Sequence, residues 1–209
     1  MSDLVLYTNP QSRGRIVHWM LEEMRQPYQT EWLTFGPGMK SGDYLAVNPM
    51  GKVPALRHDG AFVTETAAIC AYLADRFPES NLMPPRNHPS RAAYFRWFFF
   101  GTGPLEMVVT AKACGWEVPA GKSGFVGFGS FDETINGLEG ALKPGPYICG
   151  EQFTAVDVYI GSQLGWGMSL GAVEKRPIFE EYVRALRARP AAERARRIND
   201  DAENARAHL

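Results

Sequence analysis

Cysteine is scarce in this chain of 209 residues, and its few copies argue against two kinds of structure. The three cysteines, Cys70, Cys114 and Cys149, are odd in number and widely spaced, and no C-x-x-C occurs. A disulfide framework needs paired cysteines, and a structural zinc site needs closely spaced ligands. We therefore expect neither a disulfide scaffold nor a metal site, and we expect a reducing, cytoplasmic location.

Charge of one sign and long apolar runs are also lacking. The net charge of −1 gives no general attraction to nucleic acid. No apolar run approaches the roughly 20 residues that span a bilayer, and no basic-then-apolar leader precedes the first strand-like segment, so we expect no membrane association. The arginines from Arg184 to Arg197 alternate with or precede acidic residues, which predicts a solvated helix and a frayed C-terminus.

Hydrophobic periodicity divides the chain into two parts. Up to residue 80 the patterns follow the order β-α-β and then β-β-α, which is the thioredoxin-like arrangement. Residues 81–89 are rich in proline and form a plausible linker. Beyond them only helical patterns occur. The sequence therefore predicts an α/β thioredoxin-like domain over 1–80, a linker over 81–89 and an all-α domain over 90–209.

The segment Asn48-Pro49-Met50-Gly51-Lys52-Val53-Pro54 is the most informative part of the chain. The Val53–Pro54 bond is a candidate for the cis form, because only X-Pro bonds adopt it readily. A cis bond there would turn the backbone of Val53 outward. Further on, Glu65 and Thr66 stand at the start of a helical pattern, where free N–H groups and the helix dipole favour a carboxylate. Together the two features predict a site for a small extended peptide.

Two further motifs follow in the helical part. Thr154 and Asp157 have the spacing of a capping box before an apolar helix. A late segment runs from Arg176-Pro177 to Arg189-Pro190-Ala191. With the Val53–Pro54 and Glu65–Thr66 motifs and the linker, these features occur in the order seen in the cytosolic glutathione transferases. The chain resembles that superfamily, in a bacterial-like, serine-type form, over most of its length.

The resemblance implies how glutathione would be held as a co-substrate, with no prosthetic group. The backbone of Val53, ahead of Pro54, would pair with the cysteinyl part of glutathione. Glu65 would meet the γ-glutamyl ammonium, and Thr66 would bind the γ-glutamyl carboxylate. Two lysines are candidates for the glycyl carboxylate, and Lys52 inside the motif is better supported than Lys40.

A glutathione transferase must hold the glutathione thiol as a thiolate, which is the form that attacks electrophiles. Ser12 lies where the first helix should begin, beside two arginines, and resembles the serine of the serine-type classes. Tyr7, at the end of the first strand, is the alternative, as in the tyrosine-type classes. We favour Ser12 because the helix dipole is closer to it, with Asn9 as a possible assistant. This segment contains no cysteine, which argues against the cysteine-type classes.

The resemblance implies a hydrophobic electrophile pocket between the two domains, a homodimer and a role in detoxification. The candidate pocket residues are Phe100, Met107, Trp116 and Trp166. Other glutathione-dependent activities use the same scaffold, so a peroxidase, an isomerase or a dehalogenase remains an alternative. A non-catalytic binding protein that keeps the fold is a second alternative. The identity of the electrophile does not follow from these residues.

Overall fold

The computed structural model describes residues 3–207, which form two compact units. The first unit comprises residues 3–80 together with 188–207, and the second comprises residues 81–187. The sequence placed all of 90–209 in one helical domain. The structure differs at the C-terminus because the last helix packs on the first helix of the α/β unit, as described below. The predicted linker, residues 81–89, belongs to the second unit.

The first unit contains a mixed sheet of four strands in the order β2-β1-β3-β4. β1 pairs with β2 in parallel and with β3 antiparallel, and β3 pairs with β4 antiparallel. This is the predicted β-α-β unit followed by a hairpin and a helix. Its elements are β1 (Val5–Thr8), α1 (Gly14–Met24), β2 (Gln29–Trp32), α2 (Gly42–Val47), β3 (Ala55–His58), β4 (Ala61–Thr64), α3 (Thr66–Arg76) and α9 (Pro190–Ala207), with short 3₁₀ turns at Pro37–Lys40 and Pro78–Ser80.

Helix α1 buries the apolar face that its periodicity predicted. The residues of this face are Ile16, Val17, Met20, Leu21 and Met24, and all of them are buried. The helix ends before Pro27, at Arg25, which adopts a left-handed conformation with φ 55°. Because a proline at position 27 disfavours helical geometry in the residue before it, the chain leaves the helix here.

Helix α9 corrects our interpretation of the arginine-rich tail. Its residues form a regular helix to residue 207 rather than a frayed end, and its Ala191, Ala195 and Asn199 are buried. Arg194 of this helix and Arg189, directly before it, form ion pairs with α1. Arg189 binds both carboxylate oxygens of Glu23 at 2.7 and 2.9 Å. The sequence could not show this, because the partners lie more than 160 residues apart.

His18 is a buried polar group where α1 meets α9. Its Nδ1 lies 3.1 Å from Oδ1 of Asn199, and its Nε2 lies 3.2 Å from Oγ1 of Thr30. The amide nitrogen of Asn199 donates to the carbonyl of Ala195, so Oδ1 accepts from Nδ1–H of His18 and Nε2 accepts from the Thr30 hydroxyl. Burial lowers the pKa of His18 from 6.5 to about 4, and the imidazole is therefore neutral near pH 7.

The second unit is helical, as predicted. Its helices are α4 (Ser90–Phe100), α5 (Glu106–Cys114), α6 (Phe131–Leu142), α7 (Ala155–Ser169) and α8 (Pro177–Arg187). A π-helical turn, Gly101–Leu105, joins α4 to α5. Pro104 lies inside this turn and lacks an N–H, which removes one hydrogen bond of the regular ladder. Within residues 3–207, no helix is long and apolar enough to cross a bilayer.

The predicted capping box opens α7. Oδ2 of Asp157 accepts a hydrogen bond from the Thr154 N–H at 2.8 Å, as the spacing predicted. The other carboxylate oxygen accepts from the Ile148 N–H at 2.9 Å and from the Tyr182 hydroxyl at 2.8 Å. Burial raises the pKa of Asp157, and these hydrogen bonds oppose the rise. The box therefore has a structural role and ties three segments of the helical unit to one carboxylate.

Candidate functional site

One end of the sheet brings the predicted glutathione-binding segments together. In the strand register, Tyr7 of β1 lies opposite Ala55 of β3, and Ala55 lies opposite Thr64 of β4. The loop after β1, the segment before β3 and the loop after β4 therefore meet at the same edge. Helices α1 and α3 both begin there. The dipoles of the two helix N-termini make this edge favourable for anions, although the first N–H groups of α1 already donate to Ser12 and Arg13.

Ser12 lies in the loop between β1 and α1, two residues before the helix begins. Its hydroxyl donates to the Asn9 carbonyl at 2.7 Å and accepts from the Gly14 N–H at 3.0 Å. Ser12 therefore closes the turn that leads into α1, and its side chain is half-buried. To donate to a bound sulfur, the hydroxyl would rotate its proton away from Asn9 while it still accepts from Gly14. This rotation is within the ordinary freedom of a serine hydroxyl.

Of the two arginines beside Ser12, Arg15 binds carboxylates of helix α9. Arg15 directs its guanidinium to Asp200 and Glu203 of α9, at 2.8 Å each. Its Nε also donates to the carbonyl of Pro10. Arg13 and Arg15 follow Ser12 in the sequence, but the charge of Arg15 is paired with carboxylates of α9. The N-terminus of α1 adds positive potential near Ser12.

Tyr7, the alternative to Ser12, is packed among aromatic rings. Its ring centroid lies 6.2 Å from that of Tyr44 and 6.5 Å from that of Phe62. The side chain is half-buried, and its hydroxyl has no hydrogen-bond partner among the described residues. The ring therefore packs as an aromatic side chain of a half-buried strand. Its hydroxyl remains available to donate a hydrogen bond to a ligand.

Asn9 uses its side chain to fix the loop. Its amide nitrogen donates to the Leu33 carbonyl at 2.8 Å, and its Oδ1 accepts from the Gln11 N–H at 2.8 Å. Its own carbonyl accepts from both the N–H and the hydroxyl of Ser12. Asn9 is 4% exposed. This geometry makes it a residue that positions Ser12.

The Val53–Pro54 peptide bond is cis, as the sequence suggested. Val53 lies just outside the β1–β3 ladder, which begins at Ala55. Among the described residues, neither the N–H nor the C=O of Val53 has a hydrogen-bond partner. Since buried or half-buried backbone groups are nearly always paired, an open donor and acceptor next to a sheet edge are suited to an extended peptide.

Two residues that the sequence analysis assigned no role hold this segment in place. The Tyr44 hydroxyl donates to the carbonyl of Lys52 at 2.8 Å, and the Asn48 amide donates to the same oxygen at 2.7 Å. Both side chains are buried. We call this pair of hydrogen bonds the Lys52 carbonyl clamp. Asn48 belongs to the motif, and an asparagine there indicates a local turn. No sequence signal pointed to Tyr44.

The loop before Val53 is held by a lysine and shaped by a glycine. The Lys40 ammonium donates to the carbonyl of Met50 at 2.7 Å. Gly51 has φ +56°, and a Cβ there would lie 2.5 Å from the carbonyl oxygen of Met39. A side chain at position 51 is therefore excluded both by conformation and by space. The Lys52 side chain is exposed and has no ion-pair partner among the described residues.

Glu65 and Thr66 occupy the N-terminus of α3. Glu65 has φ 67° and ψ 119°, an uncommon conformation for a residue other than glycine. Such a conformation costs about 1–3 kcal/mol and is found mostly at functional sites. The Glu65 side chain is exposed and the Thr66 side chain is buried. Among the described residues, neither the Glu65 carboxylate nor the Thr66 hydroxyl has a hydrogen-bond or ion-pair partner.

The four predicted pocket residues do not all line the same cavity of the helical unit. An open cavity of about 370 Å³ lies against α5, the loop after it and the start of α6. Trp116 lines this cavity and is 61% exposed. Phe100, Met107 and Trp166 do not line it. Phe100 contacts Trp97, with ring centroids 5.0 Å apart, and Met107 is 48% exposed on α5.

None of the three cysteines belongs to the loop that carries Ser12. Cys70 is buried on α3, as its position on an apolar face predicted, and burial raises the pKa of its thiol. Cys149 and Cys114 belong to the helical unit, and burial raises the pKa of the Cys149 thiol to about 12. A cysteine is most reactive as a thiolate, so the shifts at Cys70 and Cys149 disfavour both as nucleophiles.

Comparison with known families and structures agrees with this geometry. The model of the glutathione S-transferase N-terminal domain matches residues 12–76, and the model of the C-terminal domain matches residues 124–209. A solved glutathione transferase from Methylococcus capsulatus str. Bath is 29% identical, with 94% of this chain and 98% of that chain covered and a TM-score of 0.78. The chain belongs to the cytosolic glutathione transferase superfamily. The predicted fold class, a thioredoxin-like domain with a helical C-terminal domain, is thereby confirmed.

Other members of the superfamily are similar to different extents. Glutathione S-transferase GstA of Escherichia coli O157:H7 is 34% identical over 136 residues, which are 61% of this chain and 63% of that protein. Glutathione S-transferase A of Pleuronectes platessa is 24% identical over 193 residues, 85% of this chain and 83% of that protein. A glutathione transferase homolog from Sulfitobacter, solved with bound glutathione, is 26% identical, with 93% and 97% of the two chains covered and a TM-score of 0.73.

Proposed function

We propose that this protein is a glutathione transferase that binds glutathione at the sheet edge and transfers it to a hydrophobic electrophile. The observation that carries the proposal is the set of open polar groups at that edge. The backbone of Val53, the carboxylate of Glu65 and the hydroxyl of Thr66 all lack partners among the described residues and lie on adjoining strand ends. Val53 offers backbone groups that can pair with an extended peptide. Glu65 offers a carboxylate for an ammonium group, and Thr66 offers a hydroxyl that can donate to a carboxylate.

Each part of glutathione has a matching group in this arrangement. The cysteinyl N–H and C=O would pair with the backbone of Val53. The γ-glutamyl ammonium would meet Glu65, and its carboxylate would accept hydrogen bonds from Thr66 and the first N–H groups of α3. Lys52 would bind the glycyl carboxylate, since its ammonium has no competing ion pair within the described part of the chain. Lys40, already bonded to Met50, would contribute long-range charge.

The thiol would lie near the loop that carries Ser12. A free thiol has a pKa of about 8.5. Lowering this pKa by about two units requires that the site stabilise the thiolate over the thiol by roughly 2.7 kcal/mol. A hydrogen bond to a charged group contributes about 1.5–3 kcal/mol, and a helix N-terminus about 0.3–1 kcal/mol. The Ser12 hydroxyl and the N-terminus of α1 together supply the required amount. The thiolate sulfur then bonds to the electrophilic carbon, and the leaving group departs with its electron pair.

The electrophile would be apolar, with Trp116 as the best placed of the four predicted pocket residues. Trp116 lines a cavity, whereas Phe100, Met107 and Trp166 stay predictions from the sequence alone. A homodimer, a cytoplasmic location and a role in detoxification also stay proposals. A peroxidase, isomerase or dehalogenase activity on the same glutathione site is the alternative, and none of the observed contacts favours one of them.

A conjugation assay with two thiols tests the proposal. Purified protein is mixed with chlorodinitrobenzene and either glutathione or cysteinylglycine, which lacks the γ-glutamyl group. We expect conjugation with glutathione and a kcat/KM at least about tenfold lower with cysteinylglycine, because Glu65 and Thr66 then have no ligand. Equal rates with both thiols would contradict the assignment of Glu65 and Thr66. Glutathione binding without conjugation of any electrophile would favour the non-catalytic alternative.

A further inference from the structure

The cavity of the helical unit is apolar on most of its walls. Val108, Trp116, Phe128 and Phe131 supply large side chains, and no acidic residue lines it. Its volume of about 370 Å³ is near the lower end of the range of about 300–1,000 Å³ for small-molecule sites. A molecule with one or two aromatic rings fits this size. Trp116 is 61% exposed, a large apolar surface that water would otherwise cover.

One charged side chain, that of Lys112, lines the cavity. Lys112 lines the cavity, and its ammonium lies 5.5 Å from the ring centroid of Phe131. Among the described residues, no carboxylate lies within ion-pair distance of this ammonium. The two serines that also line the cavity carry no charge. The Ser130 hydroxyl caps α6 and donates to Oε2 of Glu133 at 2.9 Å, so one carboxylate borders the cavity, beyond ion-pair distance of Lys112. The cavity therefore combines aromatic walls with a single positive charge that is not neutralised by a described residue.

We propose that this cavity binds a flat aromatic molecule that carries a carboxylate or sulfonate. The rings would cover Trp116 and Phe131, and the anion would pair with Lys112. If the ligand is the electrophile, the inference rests on the proposed function and narrows the class of electrophile to aromatic anions. As a statement about binding, it holds without glutathione. The two are therefore tested separately.

Calorimetric titration with a pair of probes of the same shape tests the binding. Naphthoate carries the anion, and naphthamide is its neutral counterpart. We expect the wild-type protein, without glutathione, to bind naphthoate about three- to fivefold more tightly than naphthamide, as for a solvent-accessible ion pair. Lys112→Met should remove this preference and leave naphthamide binding within about twofold, whereas Lys112→Arg should keep it.

Lys122→Met is the matched control, because Lys122 is exposed and does not itself line the cavity, although its loop does, and its ammonium lies 5.0 Å from the ring centroid of Phe125. It makes the same chemical change and should leave the preference intact. Trp116→Ala should weaken both probes by about tenfold through lost aromatic contact. The proposal is overturned if wild type binds neither probe, if it binds both equally, or if Lys122→Met removes the preference as fully as Lys112→Met.

Inhibition kinetics test whether the cavity is the electrophile site. Naphthoate is added to the reaction of glutathione with chlorodinitrobenzene at varied concentrations of each substrate. Inhibition competitive with chlorodinitrobenzene supports the narrowed electrophile class. Binding without competitive inhibition overturns that class and leaves the binding site itself supported. Because glutathione binding is measured without naphthoate, failure of the cavity proposal is distinguishable from failure of the proposed function.

Discussion

The pKa of the glutathione thiol, when bound to this protein, should depend on the hydroxyl of Ser12. Ser12→Ala removes the hydroxyl that we propose as the donor to sulfur at the start of α1. The lost hydrogen bond to a charged sulfur is worth about 1.5–3 kcal/mol, and one pKa unit corresponds to 1.36 kcal/mol. We therefore expect the pKa of the bound thiol to rise by about one to two units in this variant.

The sign of the effect on rate follows directly. A thiol whose pKa is lowered on binding is a thiolate at lower pH. In Ser12→Ala the rise in kcat/KM with pH should move to higher pH by the same one to two units. Near about pH 6.5 the variant should therefore be roughly ten- to a hundredfold slower, and above about pH 9 the two rates should converge.

The thiolate absorbance of bound glutathione in the ultraviolet, titrated against pH, measures this pKa without turnover. Ser12 also accepts a hydrogen bond from the Gly14 N–H, so we expect Ser12→Ala to lower thermal stability as well. Loss of stability alone does not move the pKa of the bound thiol in protein that remains folded. Tyr7→Phe is the matched control, because it removes one hydroxyl from the alternative candidate. An unchanged pKa in Ser12→Ala, or a larger rise in Tyr7→Phe, would refute the reasoning.

Three further predictions follow from the same structure. Thr66→Val should raise the KM for glutathione by about tenfold with little change in kcat, because the γ-glutamyl carboxylate loses a donor; steady-state kinetics would show an unchanged KM if Thr66 lay outside the site. Tyr44→Phe removes one of the two bonds of the Lys52 carbonyl clamp and should raise the same KM by about two- to tenfold without moving the pKa of the bound thiol; a moved pKa would mean that the clamp acts on sulfur. His18, neutral in the fold with a pKa lowered from 6.5 to about 4, contributes stability that is present above its unfolded pKa and lost as the pH falls from 6.5 towards 4. Denaturant unfolding of wild type should therefore lose up to about 3 kcal/mol more over this range than His18→Gln does, and equal losses would contradict the buried neutral imidazole.

Local signals predicted much of the first unit and the start of α7 in the second. The spacing of Ile16, Val17 and Met20 identified the buried face of α1 because a helix repeats every 3.6 residues. The Val53–Pro54 bond and the box of Thr154 and Asp157 were recognised because each motif depends only on residues close in sequence. Their observed forms, a cis bond and a 2.8 Å hydrogen bond, match the expectations.

Contacts between distant segments could not be predicted in the same way. Nothing in the local pattern of Arg189 points to Glu23, and nothing near Arg15 points to Asp200. These ion pairs attach α9 to the α/β unit and explain why the arginine-rich tail is not frayed. The role of Tyr44 was missed for a related reason, because a tyrosine on a short helix is consistent with simple burial. Its hydrogen bond becomes visible only when the turn at residues 48–52 brings the Lys52 carbonyl to it.

Calorimetric titration of glutathione into the purified wild-type protein tests the central claim most directly. The same titration is repeated with a Glu65→Gln/Thr66→Val double variant, which keeps the size of both side chains. We expect saturable binding of one glutathione per chain to wild type, and affinity at least about tenfold lower in the double variant. Absence of binding to folded wild-type protein, or equal affinity in the two proteins, would contradict it.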